Sequence, residues 1–177
     1  MSLIFHVDVN SAYLSWNAVW DLQHGASLDL RTIPAIVGGD PESRHGIVLA
    51  KSAPCKKYGI QTGETLFAAL MKCPELTIVP PRYGVYMKAS EAMVEILRSY
   101  SPLIERYSID ECFMDMSHIA KEDALPLAKT LKRHIAEKLG FTVNIGISTG
   151  KLLAKMASDL KKPNQVHTLY KEEVPKK

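Results

Sequence analysis

The chain has little of what marks a secreted or membrane protein. Only three cysteines occur in 177 residues, Cys55, Cys73 and Cys112. They are odd in number and far apart, with no C-x-x-C pair and no histidine at zinc spacing, so neither a disulfide framework nor a zinc site is indicated. They read as reduced, buried thiols of a cytoplasmic protein. No apolar run approaches the ~18 residues of a membrane helix, and no basic segment followed by an apolar stretch opens the chain. Internal repeats and low-complexity segments are also missing. The formal net charge of +3 does not by itself announce a nucleic-acid binder, although residues 151–177 hold several lysines and few acids and can present a positive face. A hydrophobic content of 46% suits a soluble domain, with length for one core or for a larger domain carrying a smaller lobe.

What is present is acid in an unexpected setting. In Tyr107-Ser-Ile-Asp-Glu-Cys-Phe-Met-Asp115 two adjacent carboxylates, Asp110 and Glu111, sit between strand-forming residues. Leu3-Ile-Phe-His-Val-Asp-Val-Asn10 repeats the theme with Asp8 near the end of an apolar strand. Alternation over residues 3–10 puts Leu3, Phe5, Val7 and Val9 on one face and Ile4, His6, Asp8 and Asn10 on the other.

The remaining elements follow from periodicity and punctuation. Ser11 is a candidate N-cap for a helix running toward Gly25, and a strand leading straight into a helix aims backbone N–H groups at an anion site. Residues 32–37 and 47–51 read as strands around an exposed loop at 38–46, followed by a weak helix over 51–57 and a helix over 64–72. The Pro80-Pro81 pair is the natural boundary of this lobe. Beyond it come a helix from Tyr86 to Tyr100, strands at 104–107 and 112–116, and a helix carrying Leu127, Leu131, Ile135 and Leu139. A strand at 141–148, a helix at 151–160 with Leu152, Leu153, Met156 and Leu160 inward, and a last strand at 166–169 complete the chain. Without the lobe, the order is βαββαβ with an added helix and strand. That predicts an α+β, ferredoxin-like domain with a small α/β insertion.

In such a sheet the first strand neighbours the hairpin, so Asp8 approaches Asp110 and Glu111. Three clustered carboxylates repel one another and call for cations, most simply two Mg²⁺ ions able to clamp the attacking and leaving oxygens of a phosphoryl transfer, with the Val9 carbonyl as a further ligand. The plainer alternative makes Asp8 a helix cap and Asp110 and Glu111 turn residues. Gly146-Ile-Ser-Thr-Gly150-Lys151 is one residue short of a P-loop and has Leu152 where Ser or Thr is needed.

Four motifs in order then carry a resemblance: Asp8-Val-Asn-Ser-Ala-Tyr13, Ser108-Ile-Asp-Glu111 with Phe113 and Asp115, Gly146-Ile-Ser148 followed by Lys151-Leu-Leu-Ala-Lys155, and Lys162-Pro-Asn164. Together they resemble Y-family, lesion-bypass DNA polymerases of the polymerase IV and UmuC type along nearly the whole chain. The resemblance implies a palm from residues 1–10 and 81–177 and fingers from 11–80. It implies metal-binding catalytic carboxylates at Asp8, Asp110 and Glu111, two Mg²⁺ ions, and a triphosphate held by backbone of Ser11, Ala12 and Tyr13 and by Lys162. Tyr13 falls at the steric gate that excludes a ribose 2′-hydroxyl. The implied partners are primer-template DNA, deoxynucleoside triphosphates and, through regions beyond this chain, a sliding clamp; no membrane is involved.

Two departures qualify the match. Where the family has an aromatic hydroxyl and an arginine for the triphosphate, this chain has Ala53 and Lys56, and lysine keeps the charge without the bidentate fork. The chain also stops where a thumb and a further DNA-gripping domain are expected, which predicts a weakly active or inactive catalytic-core fragment. A nucleotidyl-cyclase-like enzyme, with Gly38-Gly-Asp40 as a partial signature, and a non-catalytic module of palm fold are the alternatives.

Overall fold

The computed structural model describes residues 2–39 and 46–174. The loop expected at 38–46, including the end of Gly38-Gly-Asp40, lies largely outside the described residues. In chain order the elements are β1 (Ile4–Val9), α1 (Ala12–Gln23), β2 (Ala35–Gly38), β3 (Val48–Lys51), α2 (Leu66–Lys72), β4 (Thr77–Val79), α3 (Tyr83–Arg98), β5 (Ile104–Arg106), β6 (Glu111–Asp115), α4 (Lys121–Leu139), β7 (Val143–Ser148), α5 (Lys151–Asp159) and β8 (Val166–Thr168), with 3₁₀ turns at Leu30–Thr32, Ala53–Tyr58 and Lys171–Glu173. They form two compact units: Met1–Asn10 with Lys88–Lys177, and Ser11–Met87. The division thus falls inside α3, a few residues past the diproline. Among the described residues no helix is long and apolar enough to cross a membrane.

The first unit is built on a five-stranded sheet in the order β5-β6-β1-β7-β8. β1 is antiparallel to both β6 and β7, while β7 and β8 are parallel and joined through α5. This is the ferredoxin-like arrangement with one strand added at the β7 edge. Register shows how alternation sorts the sheet. Phe5 and Val7 face Met114 and Cys112 on one side and Ile147 and Ile145 on the other, all buried. The opposite face of β1 carries His6 and Asp8, aligned with Phe113 and Glu111 and with Gly146 and Asn144. One face is therefore an apolar core, and the other collects polar groups.

α5 lies on that polar face, and it is turned differently from expectation. Its buried residues are Ala154, Ala157 and Ser158, whereas Leu152, Met156 and Leu160 are 73%, 46% and 58% exposed. The reason is Gly146. A Cβ there would stand 1.9 Å from the carbonyl oxygen of Ala154 and 2.4 Å from the amide nitrogen of Ser158, so only small residues fit between helix and strand.

The second unit is a three-stranded sheet, β3-β2-β4. Ile36 points into a cluster with Val48, Cys55, Ile60, Leu66 and Leu76. Its neighbours Ala35 and Val37 face Leu14, Ala18, Leu30 and Ala50. The expected strand at 32–37 is shorter because Asp29 captures its start: the carboxylate accepts from the Arg31 amide at 2.9 Å, and the Thr32 hydroxyl donates to the Asp29 carbonyl at 2.8 Å, winding 30–32 into a 3₁₀ turn. The weak helix at 51–57 is the second 3₁₀ turn, and β4 is a strand the periodicity did not mark. All three cysteines are free and buried.

Candidate active site

Backbone pairing assembles the acids before any side chain acts. Asp8 stands opposite Glu111 across β1 and β6, and the Val9 amide donates to the Asp110 carbonyl at 3.0 Å. The amides of Tyr107 and Ser108 both donate to the Glu111 carbonyl, at 3.0 and 3.2 Å, closing the turn before β6. Inside it the Ser108 hydroxyl lies 2.7 Å from Asp110 Oδ1 and 3.1 Å from Glu111 Oε2. Asp8, Asp110 and Glu111 are thereby gathered at one end of the polar face.

Lysines answer the resulting negative charge. Lys162 pairs with Asp8 and, at 2.9 Å, with Asp159; Lys155 pairs with Glu111 Oε1. Burial raises the pKa of Asp8, and the Lys162 hydrogen bond and charge only partly offset this while Asp110 and Glu111 push it further up. Burial also raises Glu111, but hydrogen bonds from Lys155 and Ser108 outweigh it and leave the carboxyl below its ordinary range. His6 completes the face. Burial, followed by the Lys155 charge, lowers its pKa to about 4, so the ring is neutral at pH 7. His6 Nδ1 lies 2.7 Å from the Ser158 hydroxyl, and Nε2 is 3.2 Å from Glu111 Oε1 but out of hydrogen-bonding alignment.

An amide network holds the Lys162 turn in place. Asn144 Nδ2 donates to the carbonyls of Ser158 and Lys161 at 2.9 and 2.7 Å, and its Oδ1 accepts from Asn10 Nδ2 at 3.1 Å and from the Gln165 amide at 3.1 Å. Asn10 Oδ1 in turn accepts from the Asn164 amide at 3.0 Å. These bonds tie the end of α5 to the end of β1. That is why Lys162, 154 residues from Asp8 in sequence, reaches it.

The predicted nucleotide contacts divide between the units. Lys162 belongs with the acids, while Ser11, Ala12, Tyr13 and Lys56 lie in the second unit. Ser11 is the N-cap residue of α1, as expected, but it adopts φ 45°, ψ 54° in the left-handed region and its side chain caps nothing. Ala12 is buried, Tyr13 is half-buried against Tyr86, and Lys56 is exposed on the Ala53–Tyr58 turn. Periodicity did not single out Lys155, His6, Ser108 or Asn144. His6 shares the Asp8 face by alternation and Lys155 lies in a quoted motif, but their contacts depend on α5 crossing at Gly146.

The donor set fits a hard divalent cation, since carboxylates and a backbone carbonyl offer only oxygen. The acids are gathered, yet as they lie, paired with lysines, no three His, Cys, Asp or Glu side chains among the described residues form a ready-made metal-binding group. The cationic role is taken by Lys155 and Lys162.

One consequence is measurable on the free chain. A carboxyl whose pKa is raised on folding favours its protonated form, so ionised Asp8 lowers stability, and the penalty grows as the pH rises from the unfolded value near 3.8 through the folded one. Asp8→Asn removes that charge and leaves Lys162 its Asp159 partner. At pH 7 without divalent ions the variant is expected to melt at or above the unmodified chain, with the difference vanishing in acid. A lower midpoint at pH 7 would contradict the burial argument.

A ferredoxin-like sheet with acids clustered at adjacent strand ends places the chain in the palm class of folds. The impB/mucB/samB family model matches residues 7–159, and the chain belongs to that family, in agreement with its Y-family motifs. It is 54% identical over 176 residues to DNA polymerase IV of Clostridium acetobutylicum, covering 99% of this chain and 44% of that protein. The DNA polymerase IV of Alkaliphilus oremlandii is 39% identical over 177 residues, with 43% of it covered. The chain thus spans under half the length of these relatives. Among solved structures, DinB from Sulfolobus solfataricus superposes with a TM-score of 0.86 at 26% identity over 97% of this chain and 49% of that one. The insertion ternary complex of Dbh DNA polymerase gives 0.84 at 26% identity, over 97% and 50%.

Proposed function

We propose that the chain carries the palm, residues 1–10 and 81–177, and the fingers, residues 11–80, of a polymerase that extends a primer across damaged template DNA using deoxynucleoside triphosphates. The observation that carries this reading is the pairing of Asp8 with Glu111 beside Asp110 at one end of a ferredoxin-like sheet. Asp8, Asp110, Glu111 and the Val9 carbonyl would hold two Mg²⁺ ions. When bound, these ions supply Lewis-acid stabilisation of the attacking 3′-oxygen and the departing pyrophosphate.

The chain's own residues account for the remainder. Lys155 and Lys162 neutralise the acids in the free protein, and both are held above the ordinary lysine range: burial lowers them, but their carboxylate partners raise them more. They stay cationic at pH 7, so Lys162 released from Asp8 can donate to a triphosphate oxygen. Neutral His6 adds no charge beside Glu111. Backbone amides of Ser11, Ala12 and Tyr13 at the start of α1 suit a polyphosphate, and Lys56 adds charge from the fingers. Tyr13 sits under the sugar as the steric gate. The family supports DNA lesion bypass, which we place in the cytoplasm.

Template dependence tests the proposal. Chain in excess over primer-template, with Mg²⁺, is expected to add the nucleotide complementary to the template and to consume none without DNA. Triphosphate consumption without DNA would instead indicate a cyclase-like enzyme, and absence of both extension and any thermal shift on adding Mg²⁺ with deoxynucleoside triphosphate would favour a non-catalytic module.

A further inference from the structure

We propose that Asn17 and Tyr86 are positioning residues that set sugar selectivity by bracing the Tyr13 ring; this rests on reading Tyr13 as the steric gate. All these residues lie in the second unit. The Tyr13 and Tyr86 rings are stacked, with centroids 4.4 Å apart and planes within 9°. Tyr86 is fully buried, and its hydroxyl donates to Asn17 Oδ1 at 2.8 Å. Asn17, also fully buried, is one helical turn beyond Tyr13 on α1, and its Nδ2 donates to the Pro80 carbonyl at 3.1 Å. Tyr83 meets both rings edge-on, at 6.0 Å to Tyr13 and 5.7 Å to Tyr86.

The chain of contacts is a strut. The Pro80 carbonyl fixes the Asn17 carboxamide, the carboxamide fixes the Tyr86 phenol, and the phenol ring backs Tyr13. Stacking alone would let Tyr86 slide in its plane, but a buried hydroxyl bonded to a buried amide cannot shift without leaving polar atoms unpaired. The stiffness matters because ribose differs from deoxyribose by a single hydroxyl. A gate ring free to tilt admits that hydroxyl; a ring pinned on one face does not. Tyr86 therefore affects selectivity without touching the nucleotide.

The test compares insertion of dCTP and CTP opposite template G by the chain in single-turnover primer extension, for Tyr13→Ala, Tyr86→Phe, Tyr86→Leu and Asn17→Leu. Tyr86→Phe keeps the ring and removes only the strut's hydrogen bond, so it should fold and raise the CTP-to-dCTP efficiency ratio about fivefold. Tyr86→Leu also removes the stack and should raise it about tenfold or more. Asn17→Leu combined with Tyr86→Phe should match the larger single effect rather than the product, because both break one strut. A purely structural role lowers both insertions alike and leaves the ratio unchanged. If Tyr13→Ala raises the ratio and neither Tyr86 variant does, the strut is wrong and the gate stands. If Tyr13→Ala leaves it unchanged, the gate reading fails and the proposal with it.

Discussion

The double substitution Asp110→Ala, Glu111→Ala is expected to reduce nucleotide addition by on the order of 10³-fold or more while leaving the fold intact. The two halves of that expectation have separate causes. The turn that carries these residues is closed by main chain: Tyr107 and Ser108 amides to the Glu111 carbonyl, and the Val9 amide to the Asp110 carbonyl. None of these bonds needs a carboxylate, so the β1–β6 pairing should survive. The side chains are what a divalent ion and the reacting phosphate would require, and losing both removes the carboxylate paired with Lys155 while Asp8 and Asp159 still face Lys162. The two changes should be far from additive, since residues that act as one unit fail together. Single-turnover primer extension with circular dichroism on the same samples checks both halves. Substantial extension by a folded double variant would remove the carboxylates from the mechanism.

How much of this was legible in the sequence depends on how local each feature is. The ferredoxin-like order and the alternation of β1 are local, so strand period alone placed Asp8 and His6 on the face opposite Phe5 and Val7, where the register now has them. β4 was missed because three residues, Thr77–Val79, are too few to show a period and end against a diproline. α5 was turned the wrong way for an instructive reason. Leu152, Met156 and Leu160 recur at helical spacing and would ordinarily mark the inward face, but a helix that must touch the backbone of a glycine buries alanines instead. The ion pairs Lys155–Glu111 and Lys162–Asp8 are long-range products of that contact, and no local pattern encodes them.

Gly146→Ala should therefore be among the most damaging single changes in the chain, costing about 3 kcal/mol or more of stability. The added methyl would meet the Ala154 carbonyl oxygen at 1.9 Å and the Ser158 amide nitrogen at 2.4 Å. These are backbone atoms, so no rotamer change relieves the clash, and either β7 or α5 must move. Moving α5 shifts Ser158 from His6, Lys155 from Glu111, and the Ser158 and Lys161 carbonyls from Asn144. The loss of stability and the loss of site geometry thus share one origin. Gly84→Ala is the control, because a Cβ there meets nothing within 4 Å and the residue lies in the first turn of α3. It should be neutral or stabilising by up to about 1 kcal/mol. Denaturant unfolding of both variants separates close approach from general glycine effects. A Gly146→Ala chain as stable as the Gly84→Ala chain would mean that α5 does not rest on β7 as described, and the lysine pairing of the acids would lose its structural basis.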